Sequence, residues 1–332
     1  GLSRGEEQKQ TQSQRTGLLG VEGIHTKNGF EITSVLQGSP ASREESTLNV
    51  GDVITQVNQQ AIGEHNFYSL LIDQADSPVL LSVQASAAGS QDSGLSTSSE
   101  VVIWPTSSLS AELYDDWVET RRSLTDKYAK GRFGYLHIRG MNWSSFERFE
   151  RELMAAGHGK EGIVIDVRYN GGGWTTDYLI AVLSVKQHSY TIPRGAADDL
   201  DKEHSKFKNS YPFAERLPLS AWTKPSIAIS NENSYSNAEI FSHAYKALNL
   251  GKLVGRPTFG AVISTGSYRL VDGSTVRMPF RGWWEKESGE NMELVPAKPD
   301  IEVFNPPAYK ASGIDPQLKR SVEELLKQVK RK

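Results

Sequence analysis

Ser236 and the glycine run Gly171-Gly172-Gly173 are the residues of this chain whose types and spacing could do chemistry. The serine lies in Asn231-Glu-Asn-Ser-Tyr-Ser236-Asn-Ala-Glu-Ile-Phe241, just after the apolar run Ser226-Ile-Ala-Ile-Ser230 and at the start of an amphipathic helix pattern. The glycines follow a second apolar run, Gly162-Ile-Val-Ile-Asp-Val167. A serine at a strand-to-helix turn presents its hydroxyl at the mouth of a sheet. The helix N-terminus behind it carries unpaired N–H groups that favour negative charge. A glycine turn beside it supplies further N–H groups with no side chain in the way. Together these are the parts of a nucleophile and of an oxyanion hole. A serine here also has a plain structural role as a helix N-cap, and an isolated one would be read that way.

Both pieces need a rigid support. The two apolar runs read as buried strands. Ile240, Phe241, Ala244, Tyr245 and Leu248 share one helical face after Ser236, with Gly251 as a stop. Tyr135-Leu-His-Ile-Arg139 opens the same region, which alternates strands and helices as a layered α/β fold does. Its last helix starts with Asp315 as N-cap and Pro316 in the first turn, and Leu318, Val322, Leu325 and Val329 form its apolar stripe.

The chain has 332 residues, enough for two domains. Its net charge of −3 gives no case for a nucleic-acid or membrane partner, and no apolar run approaches the ~18 residues of a membrane span. The basic cluster from Lys327 to Lys332 suits a helix C-terminus. Zero cysteines exclude disulfides, thiolate metal sites and a cysteine nucleophile, without fixing a compartment, cytoplasmic or periplasmic. The sequence begins Gly-Leu-Ser-Arg without Met, as a processed or excised piece would.

Residues 1–16, rich in Gln and charge, read as a disordered tail or linker. Residues 17–105 read as short strands with turns: Gly29–Val35, a strand within Leu48–Asn58, a helix over Asn66–Ala75, a strand Val79–Gln84, a loop Ala85–Ser99 and a strand Glu100–Trp104. Ser110–Ala129 reads as a linker helix within 106–131, with Leu113, Trp117 and Leu124 on one face. The unit 17–105 resembles a PDZ domain, through Gly17-Leu18-Leu19-Gly20, Ile32-Thr-Ser-Val35 with Ser39-Pro40-Ala41, and Leu48-x-x-Gly51-Asp52-x-Ile54. The resemblance implies a peptide-binding edge with Leu18, Leu19 and Gly20 as a carboxylate-binding loop. A rigid spacer that binds nothing is the alternative.

From Gly134 onward the chain resembles the catalytic domain of the tricorn proteases, whose superfamily also holds the C-terminal processing peptidases and whose core is crotonase-like. The motifs are Gly134-Tyr-Leu-His-Ile138, Ile165-Asp-Val-Arg-Tyr-Asn-Gly-Gly-Gly-Trp174, Asn231-Glu-x-x-x-Ser236-x-x-Glu-Ile-Phe241, Leu248-x-Leu-Gly-Lys-Leu-Val-Gly255 and Pro299-Asp-Ile-Glu-Val303, in the family's order. The expected architecture is therefore α/β: a crotonase-like layered catalytic domain over 132–332, preceded by a mostly β PDZ-like domain. The resemblance implies Ser236 as nucleophile and the N–H groups of Asn237 and of Gly173 or Gly172 as oxyanion donors. It implies Glu293, six residues before Pro299, as a carboxylate supporting the base side; neighbouring Glu290 and a plain surface role stay open. Thr191 stands where tricorn proteases carry an aspartate that reads a basic residue, so no preference for Lys or Arg is expected.

The base is the open question, because a serine hydroxyl is a poor nucleophile until something accepts its proton. Ala261 stands where processing peptidases place a lysine, and Lys252 lies at a helix end. None of His25, His65, His137, His158, His188, His204 and His243 falls at the tricorn base position. The implied partners are a peptide or unfolded-protein substrate, upstream domains of a longer polypeptide that bring the histidine, and further copies in a homo-oligomer. No metal or cofactor is expected: the Asp198, Asp199, Asp201, Glu203, His204 cluster lacks calcium-loop spacing. A peptide-binding or assembly module that keeps the fold without the base is the alternative function.

Overall fold

The computed structural model describes residues 2–3, 15–46, 48–63, 66–86, 98–186, 192, 199, 201–202 and 221–330. The chain divides into two compact units, Arg4–Glu119, and Gly1–Ser3 with Thr120–Lys332. The opening strand β1 (Leu2–Ser3) belongs to the second.

The first unit is an antiparallel sheet in the order β2 (Val21–Thr26), β3 (Gly29–Val35), β4 (Val53–Val57), β6 (Val79–Gln84), β7 (Ser98–Ile103), with β5 (Gln60–Ala61) paired to β4. β6 alternates buried and half-buried residues, as a sheet with one core face must. Phe30, Ile32, Ile54, Phe67 and Leu81 fill that core. The helix expected over Asn66–Ala75 is only a 3₁₀ turn, Phe67–Leu71. A main-chain alternative wins beyond it: Thr16 bridges Ile72, Leu71 O accepts from Gly17 N–H, and Asp73 N–H donates to Arg15 O.

The helix over Ser110–Ala129 (α1) forms as expected, but its buried residues are Val118, Arg121, Thr125 and Ala129. Leu113 is exposed. Arg121 is drawn inward by Asp315 at 3.4 Å, an attraction that apolar periodicity does not register.

The second unit holds a parallel five-stranded sheet, ordered β14 (Ile301–Glu302), β11 (Leu253–Gly255), β10 (Ser226–Ser230), β9 (Gly162–Asp166), β8 (Phe133–His137). Every residue of β8, β9 and β10 is buried, which is why these runs are continuously apolar rather than alternating. Helices α2 (Trp143–Gly157), α3 (Thr176–Leu183) and α4 (Asn237–Ala247) give Phe146, Phe149, Leu153, Leu179, Val182, Phe241 and Tyr245 to one core cluster. The final helix α5 (Pro316–Lys330) buries Leu318, Val322 and Leu325, with Val329 half-buried. Asp315 caps it, accepting from Leu318 N–H at 3.1 Å. Leu248, expected on the buried face of α4, is exposed because the helix stops at Ala247. A hairpin of β12 (Ser264–Arg269) and β13 (Thr275–Arg281) stands apart, with β1 on its β13 edge.

A buried polar knot ties the carboxyl end of β9 to α5. Arg168, 1% exposed, donates to Asp166 at 2.6–3.0 Å, to Asp315 at 2.9–3.0 Å and to Gln317 at 3.0 Å. Tyr135 Oη donates to Asp166 at 2.9 Å. His137 Nε2 lies 2.8 Å from Arg168 O and so carries the proton. A charge this deep is tolerated only when its hydrogen bonds are met.

Candidate active site

β9 and β10 are adjacent and parallel, so the turns leaving their carboxyl ends lie side by side, where open α/β sheets place their sites. The β10 turn is locked to the β9 turn. Tyr169 N–H donates to Asn231 Oδ1 at 3.1 Å, Tyr235 N–H to Asn170 O at 2.9 Å, and Ser234 Oγ to Val167 O at 2.9 Å. Ser236 then takes φ 56°, ψ −117° and caps α4. A side chain at positive φ is strained, at a cost of about 1–3 kcal/mol. The surrounding bonds hold it there.

Glu239, three residues on, is fully buried. Its Oε1 accepts from Ser236 N–H at 3.0 Å and Ala261 N–H at 2.9 Å. Its Oε2 accepts from Thr258 Oγ1 at 2.7 Å and from Gly260 N–H. One carboxylate thus fixes the serine and the loop 258–261 together. The Ser-x-x-Glu spacing of a capping box was the available signal for it.

The glycine run divides its labour. Gly172 N–H donates to Asn170 Oδ1 at 2.9 Å, so it is not an open oxyanion donor as expected. Gly172 serves by absence of bulk: a Cβ there would lie 2.7 Å from Ser236 Cβ and 2.9 Å from Asn237 N. Gly173 bridges Met141, and a Cβ on it would lie 1.9 Å from Met141 O. The N–H groups of Gly173 and Asn237 make no hydrogen bond among the described residues. The Asn237 side chain faces elsewhere, accepting from Thr176 N–H at 3.0 Å and locking α3 to α4.

A cavity of about 570 Å³ opens over Ser236, lined by Gly171, Gly172, Gly173, Trp174, Asp177, Tyr235, Asn237, Ile240 and Val262–Thr265, and by Arg277, Phe280, Arg281 and Trp283 of the hairpin and its exit. Glu293 does not line it. Its Oε2 accepts from Val262 N–H at 2.8 Å and Ile263 N–H at 2.9 Å, behind the cavity wall. Glu290 is exposed.

No candidate base reaches Ser236 among the described residues. Lys252 pairs with Glu324 of α5 at 3.3 Å. His137 belongs to the buried knot, where burial lowers its pKa although Asp166 opposes this. His243, on α4, is likewise lowered by burial, against a hydrogen bond with the Val295 backbone. Ala261 gives only its N–H, to Glu239. His65, His188, His204 and Thr191 lie outside the described residues.

In the first unit, the expected carboxylate loop is partly engaged. Leu18 exchanges both main-chain bonds with Thr106, at 2.8 and 3.0 Å. Leu19 O accepts from Ala41 N–H and Gly20 O from Leu36 N–H. Tyr68 Oη reaches Val21 O on the edge strand at 3.4 Å.

A serine at a strained strand-to-helix turn, beside two N–H groups without a partner among the described residues and at the carboxyl ends of adjacent parallel strands, is the build of a serine hydrolase. The profile of peptidase family S41 matches residues 132–303, and that of the PDZ domain residues 6–84; the chain belongs to peptidase family S41, and within it to the tricorn type. It is 32% identical to tricorn protease homolog 1 of Streptomyces coelicolor over 93% of this chain and 28% of that protein. It is 28% identical to the tricorn protease of Thermoplasma volcanium over 94% of this chain and 29% of that protein. A crystal structure of the tricorn protease shares the fold, with a TM-score of 0.78 at 24% identity over 95% of this chain and 29% of that one. The chain spans less than a third of the length of these relatives. Among the described residues no helix is long and apolar enough to cross a membrane.

Proposed function

We propose that this chain carries the acyl-transfer centre of a tricorn-type serine peptidase acting on unfolded chains or oligopeptides. Ser236 Oγ attacks the peptide carbonyl carbon. The oxyanion is received by Asn237 N–H and Gly173 N–H, the C–N bond breaks, and the amine leaves with a proton. Water then releases the acyl group from Ser236. Hydrogen-bond donors of this kind are worth about 10²–10³ in rate each. The proton of Ser236 passes to a histidine outside this chain, on another part of a longer polypeptide, and Glu293 stiffens the wall beside that base through Val262 and Ile263.

The observation that carries this reading is the strained Ser236 held by Glu239, with Gly172 packed against it and two N–H groups left without a partner among the described residues. The test is fluorophosphonate labelling with the adduct mapped by mass spectrometry. A longer polypeptide containing these residues should label at Ser236 and cleave peptides, and Ser236→Ala should do neither while keeping its fold. The 332-residue chain alone should show only residual catalysis, on the order of 10³–10⁴ over water, as triads without their base do. Wild-type rates from Ser236→Ala would overturn the assignment. Robust turnover by the chain alone would overturn the external base.

A further inference from the structure

The cavity over Ser236 has charges that the peptidase chemistry does not use. Arg277 and Arg281 of β13 both line it, and Asp177 is the one acidic residue among the described residues that does. Arg277 donates Nε and Nη2 to Thr265 Oγ1, at 3.0 and 2.8 Å, which steers its guanidinium. Neither arginine makes an ion pair among the described residues, and the Arg281 guanidinium lies over the Phe280 ring, 5.7 Å from its centroid. Arg277 sits in the regular ladder opposite Ser267, and Arg281 lies just past an irregularity in it. Thr265 pairs with Pro279 while Ser264 pairs with Arg281, so Phe280 is the extra residue of a β-bulge. A bulge re-aims the side chains beside it, and here Phe280 and Arg281 both reach the cavity. An arginine presents a planar fork of donors matched to a carboxylate.

We propose that Arg277 and Arg281 make this pocket select peptides that carry acidic side chains. The inference rests on the reading of the cavity as a peptide site. Three ladder steps and the bulge put the two Cα atoms roughly 10–13 Å apart, at about 3.3 Å per residue. An extended peptide crossing the cavity therefore meets two separate guanidinium groups, several of its own residues apart.

The test is binding, which requires no turnover. Fluorescein-labelled hexapeptides carrying one Glu at successive positions are compared with the Gln and Lys versions, each with a free or an amidated C-terminus, on the Ser236→Ala chain. Glu should bind roughly tenfold more tightly than Gln in amidated peptides in at least one register, since hydrogen bonds between charged groups are the strong ones. High salt should shrink the difference. Arg277→Gln with Arg281→Gln should erase it, and the two Lys replacements should keep part of it. Both arginines are exposed, so these changes spare the fold.

Equal affinity for Glu and Gln, a preference that survives the double Gln variant, or no binding of any peptide would each overturn the proposal. Discrimination that follows only the free C-terminus would overturn it too, and would assign the arginines to a terminal carboxylate. If Ser236 never acylates while the Glu preference and its loss are seen, the peptidase reading alone has failed.

Discussion

Glu239 Oε1 accepts the main-chain N–H of Ser236 at 3.0 Å, and the same carboxylate accepts Thr258 Oγ1 and the N–H groups of Gly260 and Ala261. The residue that seats the serine is thereby the residue that shapes the loop leading to the cavity wall. A glutamine there could accept through one oxygen only, and its NH₂ would face donors. Glu239→Gln should cost about 2–3 kcal/mol, since buried donors left unpaired carry their desolvation penalty. It should also slow fluorophosphonate labelling of Ser236. Urea denaturation with labelling kinetics checks both; unchanged stability would show that the four bonds are not coupled to folding.

Ser236 stores strain at φ 56°. Glycine relieves it, at a backbone-entropy cost of about 0.5–1 kcal/mol against about 1–3 kcal/mol of relief. Ser236→Gly should therefore be inactive yet more stable by about 1 kcal/mol, a trade of activity against stability. Thermal melting tests the sign, and a clear loss of stability would contradict it.

Adjacent glycines should differ. Gly172→Ala sets a Cβ 2.7 Å from both Ser236 Cβ and Tyr235 O at φ 85°, and should cost about 2 kcal/mol or more and abolish labelling. Gly171→Ala meets nothing within 4 Å and should be tolerated. Parallel melts of the two variants decide it, and equal effects would refute the packing argument.

Stability should fall with acid in two stages. Burial lowers the pKa of His137 below its usual 6.5, so the unfolded chain binds the proton first. That contribution is complete above pH 6.5 and is lost as pH falls from there toward the folded value, by at most about 1.4 kcal/mol per pH unit for one proton. Burial alone would raise Asp315, but the Arg168 guanidinium outweighs it and holds the carboxyl below 3.8. Its contribution is present above pH 3.8 and is lost as pH falls through the folded value. Denaturation midpoints from pH 8 to 3 should show both losses. His137→Gln should flatten the first, and an unchanged slope would assign it to another group, His243 being the next candidate.

Local pattern determined much of this protein. Apolar runs too continuous to be half-exposed marked β9 and β10, Asp315-Pro316 marked the start of α5, and Ser236 stood at the N-cap of α4 as periodicity required. These features depend on neighbours within a few residues, and the sequence displays them directly. What depended on distant partners did not show. The 3₁₀ turn at Phe67–Leu71 replaced a helix because Gly17 and Arg15 claimed its main-chain bonds. Arg121 went inward because Asp315, far along the chain, met its charge. Gly172 gave its N–H to Asn170, Glu293 turned to Val262 and Ile263, and Phe280 and Arg281 reached the cavity beside a bulge. Composition and periodicity place a residue on a strand or a helix face. Which hydrogen bond it then makes is a competition among groups that only the closed fold brings within 3 Å of one another.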